Sequence, residues 1–329
     1  MEWTADAAAG DWLRERIDDP WRATMHDVVP RGFPAYARIF PPATRDRPIG
    51  DEWPGIPYAK HRREWDAFQA RDPQIEVERV SWADTARAMG TTMHATAQWN
   101  RIVAPGRIVE NEDGPRDAAG WRYTDPDVGQ LPADLFAVLA SHLVAGPTPG
   151  YAALWEGNGA LLGFMGESPS RVFFQFSDDA ADSEEIARHN RMLGRSTKDR
   201  FNDAFRQPTW QEGILSRPIS EGPRLELPGR AYVVFDGDLA GFASPEWFLD
   251  VPWRDRIAEE HGFEPSALSP SLLWPDDRSW VVVSEVDYDS TIVGADPTLI
   301  RAICADPRLE AIPIAADTDL TWDADEVNR

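Results

Sequence analysis

The spacing of apolar and polar positions divides the chain into short elements. Within 32–42, Tyr36, Arg38 and Phe40 alternate with Ala35, Ala37 and Ile39, which predicts a strand ended by Pro42. Residues 75–82 alternate again and then shift phase into a helix, with Ser81 as its N-cap and Gly90 as its stop. "DWLRERIDD" (11–19) predicts a short helix stopped by Pro20, 47–59 a Pro- and Gly-rich loop, and 105–120 an exposed loop. From Leu131, the spacing of Leu135, Val138, Leu139, His142 and Leu143 predicts a helix closed by Gly146, with His142 on its apolar face. Residues 151–157 and 171–176 read as neighbouring strands. The polar stretch 178–209 reads as a surface insertion or exposed helices.

The final third carries the clearest signals. Residues 231–238 predict a strand, and 244–262 a helix in two parts that starts at Ser244–Pro245 and is interrupted by Pro252. The run 280–287, "WVVVSEVD", has apolar residues on both faces and predicts an internal strand. "DSTIVG" reads as turning away from it. Asp296 caps a helix begun by Pro297, and 309–314 is a last strand. Helices and strands are interspersed without a regular βαβ repeat. The expectation is an α+β fold, a mixed or largely antiparallel sheet with helices packed on it. The units expected are an N-terminal lobe over 1–125, a main lobe over 126–316 and a frayed acidic tail over 317–329. Both 131–157 and 296–314 run from a Pro-started helix into a strand, so two related lobes are a further reading.

Charge narrows the partners. The 329 residues carry 56 acids against 33 bases, a net charge of −23. Such a chain is repelled by phosphate backbones, so nucleic acid is not an expected partner. No run approaches the roughly 20 apolar residues of a membrane span, and no membrane partner is expected. The acidic start "MEWTADAAAGDW" does not read as a secretory signal, and with one cysteine, Cys304, a cytoplasmic location is expected. The 15 tryptophans are scattered, which reads as packing, with Trp274 and Trp280 as the candidate aromatic platform.

Chemistry, if present, should lie near acid-tipped strands. On one strand Glu285, Asp287 and Asp289 share a face. Asp236 and Asp238 tip a second strand, and Asp276 and Asp277 sit in the turn before Trp280. Converged, these acids could act as a cation site or an acid/base pair, or could pair with arginines, with Arg278 as the expected partner. The candidate polar cluster is Asp236, Asp238, Asp277, Arg278, Glu285, Asp287 and Asp289. The expectation is that it holds no metal and that the chain needs no cofactor. The histidines lack ligand spacing, and no P-loop, dinucleotide fingerprint, G-x-S-x-G or H-E-x-x-H is present.

"VPRGFPAYARIF", "WEGNG", "LPGRAYVVFDG" and "LLWPDDRSWVVVSEVDYDSTIVGADPTLIRAI" resemble successive blocks of a family of uncharacterised proteins from high-GC Gram-positive bacteria. The resemblance covers most of the chain outside 178–209. It centres on Trp274, Pro275, Asp277, Arg278 and Trp280 and on the following E-x-D-x-D-S-T-x-V-G run. Gly294–Ala295 stands where that family has a glycine pair, which speaks against an anion cradle at this turn. The resemblance implies no activity. The leading expectation is a non-catalytic, immunity-like binding or interaction protein whose partner is a protein or small molecule. The alternative is a carboxylate-dependent hydrolase acting on a carbohydrate.

Overall fold

The computed structural model describes residues 1–19, 21–106, 114–167, 171–172, 186, 188–192 and 207–329. Its strands are β1 (Glu2–Trp3), β2 (Ala35–Ile39), β3 (Ala43–Pro48), β4 (Ile75–Val80), β5 (Arg122–Thr124), β6 (Pro149–Trp155) and β7 (Phe164–Gly166). They continue as β8 (Thr209–Gln211), β9 (Leu225–Leu227), β10 (Arg230–Asp238), β11 (Leu272–Pro275), β12 (Val281–Ser284), β13 (Thr291–Ala295) and β14 (Ala311–Ile314). Among the described residues the main sheet runs β1-β10-β6-β11-β12-β13-β2-β14, with β9 also on β10, and its strand pairs are antiparallel. A smaller sheet has the order β4-β3-β5, and β7 pairs with β8. The fold is α+β with mostly antiparallel sheets, as the interspersed pattern predicts.

Alternation along the central strands sends side chains into two cores, one on each face of the main sheet. Ala37, Ile39, Leu154, Val233, Phe235, Leu273, Val282 and Val293 face a helical layer. That layer contains the helix Ala133–Leu143, the helix Pro297–Ala305 and the rings of Phe242, Trp247 and Trp253. Tyr36, Tyr232, Val234, Leu272, Trp274, Val281, Val283 and Ile292 face the other way. There Trp12, Leu13, Met25, Val28, Val29 and Leu320 cover them, drawn from the first 30 residues and from the C-terminal tail. A third core lies under the small sheet, where Val80, Tyr123 and Phe40 meet Trp82, Trp99 and Trp121.

Local signals that need no distant partner appear as expected. In the helix Trp82–Met89, the Ser81 hydroxyl accepts from Asp84 N–H at 3.0 Å, and Gly90 closes it at φ 74°, where glycine is unstrained. Asp296 caps the Pro297 helix by accepting from Thr298 N–H at 2.7 Å. β12 is internal, between β11 and β13.

Other expectations are corrected. The 11–19 helix is only Asp11–Arg14, after a 3-10 turn over Ala7–Gly10. Within 244–262 the α-helix is only Arg256–Glu260, capped by Asp255, while Trp247–Leu249 is a 3-10 turn that places Trp247 in the core. "TIVGA" does not turn away from the sheet; it is β13, paired on both sides. The helix Tyr58–Gln69 and strand β3 were not expected. His142 is half-buried and donates to Asp306 at 2.8 Å, so it is a hydrogen-bond partner of that carboxylate and not a core residue. A boundary at 125 does not separate two lobes, because β1 and β2 complete the main sheet. The 171–176 strand falls mostly outside the described residues, as does most of 178–209, of which 188–192 are helical. The tail is not frayed: Leu320, Asp325 and Asn328 are buried.

Candidate functional site

Glu285, Asp287 and Asp289 do not share a strand face. β12 ends at Ser284, whose hydroxyl bonds the Thr291 hydroxyl at 2.8 Å across the hairpin. Residues 285–290 form the hairpin tip and send their acids in different directions. Glu285 is buried beside the start of β10 and accepts from Arg230 Nε at 3.0 Å. Asp287, exposed, takes the same guanidinium from outside. That guanidinium lies 5.4 Å from the Trp155 ring and 6.0 Å from the Trp21 ring. Burial pushes the Glu285 carboxyl above its usual range, and Arg230 pulls it back. The arrangement is a bidentate-capable arginine clamped between acids and aromatic faces, and it ties the hairpin to the sheet.

Asp289 points to the other side. Its Oδ1 accepts from Arg38 Nη2 at 2.7 Å and its Oδ2 from Trp99 N–H at 3.2 Å. Arg38 is 1% exposed although it sits mid-strand between Tyr36 and Phe40. It also donates to Ser290 Oγ at 2.8 Å and to the Ala95 and Ala97 carbonyls at 3.1 and 2.8 Å. Its guanidinium lies 4.6 Å from the Phe40 ring. One residue therefore holds the hairpin tip and the 94–99 turn together.

Beside it lies a network the sequence reading missed. Asp325 is 0% exposed and accepts from the backbone N–H groups of Gln98, Val327 and Asn328, from the Asn328 amide and from His94 Nε2 at 2.9 Å. His94 Nδ1 accepts from the Thr96 hydroxyl at 3.2 Å. Burial opposes charge on Asp325, but these donors hold its carboxyl below the usual range. The signal for Arg38 was present: a cation between two aromatic positions on a buried strand needs a buried anion. Asp325 gave none, because the tail around it is uniformly acidic.

The remaining candidates lie at the far end of β10. Asp236 is six residues beyond Arg230, about 20 Å along the strand, so it cannot meet Glu285 or Asp287. Asp238 is occupied, accepting from Thr148 and Ala240 N–H at 2.7 and 3.0 Å. Asp277 is exposed and accepts from Ser279 N–H. Arg278 does not pair with the acids. It occupies a left-handed turn position at φ 56°, which directs its guanidinium over the Trp12 ring at 5.5 Å. Trp274 and Trp280 are no platform either: both are buried, in the cores on opposite faces of the sheet. Trp274 stacks on Tyr151 with ring centroids 5.4 Å apart.

This end of the sheet does carry a depression of about 450 Å³, lined by Glu2, Pro149, Gly150, Tyr151, Asp236 and Asp276 among others. A side chain at Gly150 would meet the Trp274 carbonyl at 2.5 Å, so glycine is what lets β11 close against β6 there. Burial raises the Tyr151 hydroxyl's pKa, the nearby charges of Asp276 and Asp236 raise it further, and Arg278 pulls it partly back. Among the described residues no arginine pairs with Glu2, Asp236 or Asp276, and no group of three or more His, Cys, Asp or Glu side chains is placed to hold a metal ion. Also among them, no helix is long and apolar enough to cross a membrane.

Arg230→Ala is expected to cost about 2–3 kcal/mol in urea unfolding, because it leaves Glu285 buried without its cation. Arg278→Ala, which removes one exposed cation–π contact, is expected to cost under about 0.5 kcal/mol. Equal costs would refute this assignment of the pair. Comparison of the chain with family models, with curated proteins and with solved structures gives no match.

Proposed function

We propose that the protein is a non-catalytic binding protein for a basic partner, in the manner of an immunity protein that covers a cationic surface. The observation that carries this reading is the depression at the end of β1, β10, β6 and β11. Its carboxylates Glu2, Asp236 and Asp276 have no arginine partners among the described residues, while the acids of the hairpin tip pair with Arg230 and Arg38. An arginine or lysine side chain entering there would meet several carboxylates and the Tyr151 hydroxyl without displacing an internal pair. The net charge of −23 would steer such a partner over longer range.

The hydrolase alternative loses its constellation. A glycosidase needs one ionised carboxylate and one protonated carboxyl facing each other within about 5–9.5 Å. Among the described residues burial raises the pKa of two carboxyls: Glu285 lies about 20 Å from Asp236 along β10 and is already bound by Arg230, and Glu310 is taken up by the Trp82 and Ala83 N–H groups. The reading also keeps nucleic acid and a membrane outside the partner set.

The test is binding of a fluorescent hexa-arginine peptide, followed by anisotropy at two salt concentrations. The Asp236→Asn/Asp276→Asn double variant is expected to bind about tenfold more weakly, with a shallower salt dependence. Asp134→Asn, at an exposed acid elsewhere, serves as the control. Equal binding by the double variant and the control would remove the depression from the proposal.

A further inference from the structure

Sheet edges are open templates, and folded proteins blunt them with short strands, proline or charge. The main sheet does so at both ends. β1 is two residues long, and β14 carries Pro313, which has no N–H to offer. In the small sheet β5 is three residues long. β4 is different. It is six residues long, contains no proline, and pairs only with β3 among the described residues. On its solvent-facing side Val77 is 63% exposed and Ile75 36%, and the third position, Arg79, is exposed and paired with Asp134. The opposite face of β4 carries Glu76 and Glu78, each tied on its inner side to an arginine of β3, Arg47 and Arg45.

We propose that β4 is a docking edge for an extended segment of another protein that alternates aliphatic and basic residues and adds to the small sheet as a fourth strand. The inference rests on the basic-partner reading for the chemistry of the segment, and on the edge itself for its shape. Main-chain hydrogen bonds along the open side of β4 supply affinity, and side-chain alternation supplies register. Aliphatic groups of the segment would cover Ile75 and Val77. Cationic groups would share the outer oxygens of Glu76 and Glu78.

Charge argues against a second copy as the occupant. Opposed side chains in an antiparallel pair lie on the same face, so a two-fold pairing of β4 with itself centres on one residue. Centred on Val77, it sets Glu76 against Glu78. Centred on Glu76, Glu78 or Arg79, it sets that residue against its own copy. Each of these registers opposes like charges, in molecules that already repel each other at −23 apiece.

The probe is a capped, fluorescently labelled six-residue peptide alternating lysine and valine, with a block peptide of the same composition as its control. Anisotropy should give binding of the alternating peptide about tenfold tighter than of the block peptide. Val77→Lys places a charge on the strip at an exposed position and should lose about the same factor, with an unchanged melting curve to show that the fold is intact. Val77→Thr should bind like the parent. Asp236→Asn/Asp276→Asn should leave alternating-peptide binding unchanged, so failure of the depression as a site and failure of the edge are read separately. No binding of the alternating peptide, equal binding of the two peptides, or equal binding by Val77→Lys would each overturn the proposal.

Discussion

Arg38→Ala is expected to remove about 3–5 kcal/mol of folding stability, read as a fall in the urea midpoint at constant slope. The size follows from what the guanidinium satisfies. It is fully buried and donates to a carboxylate, a hydroxyl and two backbone carbonyls from two distant segments. Truncation leaves Asp289 and the two carbonyls without their donor, and leaves a void against Phe40 and Trp82. Arg38→Lys should recover little, since a lysine has one point charge where the fork meets several acceptors. Adding Asp289→Asn to Arg38→Ala should recover part of the loss, because an uncharged amide costs less to leave unpaired. A loss under about 1 kcal/mol for Arg38→Ala would mean that the guanidinium is not the hub of this end of the sheet.

The second large effect concerns the tail. Asp325→Ala is expected to cost about 2–4 kcal/mol, because it strands the buried donors of Gln98 and Asn328 and frees His94. The effect should depend on pH in a defined direction. The folded carboxyl of Asp325 lies below its usual range, so its contribution is fully present above the unfolded value of about 3.9. It is lost as pH falls through the lower, folded pKa. The gap between parent and Asp325→Ala in urea midpoint should therefore hold steady near neutrality and narrow as the pH is taken below about 4. A frayed tail would give no gap at any pH.

What the sequence made legible was what is decided locally. Ser81 and Gly90, Asp296 and Pro297, and the alternation of 231–238 each act within a few residues, and each appears in the structure where expected. Partners that meet across the chain were not legible. Arg38 and Asp289 are 251 residues apart, and Arg230 and Glu285 are 55 apart. Proximity in sequence favoured Arg278, two residues from the strand, but its turn conformation carries it to Trp12. The three acids of "SEVDYD" looked coplanar only while the strand was assumed to continue past Ser284. The helix Tyr58–Gln69 stayed hidden because its packing residues Trp65 and Phe68 sit among charges that give it little apolar periodicity.

The position of β2 has a consequence for how the chain is made. Its two sheet neighbours, β13 and β14, begin at Thr291 and Ala311. At about 5–20 residues per second, a ribosome needs on the order of tens of seconds after finishing β2 before either neighbour emerges. Throughout that interval Tyr36, Ala37, Ile39 and Phe40 have no sheet to enter, and Arg38 has no anion to meet. The non-local pairing also makes closure of the sheet intrinsically slow once synthesis ends. The nascent chain thus carries β2 as an unsatisfied apolar strand until β13 and β14 have been made.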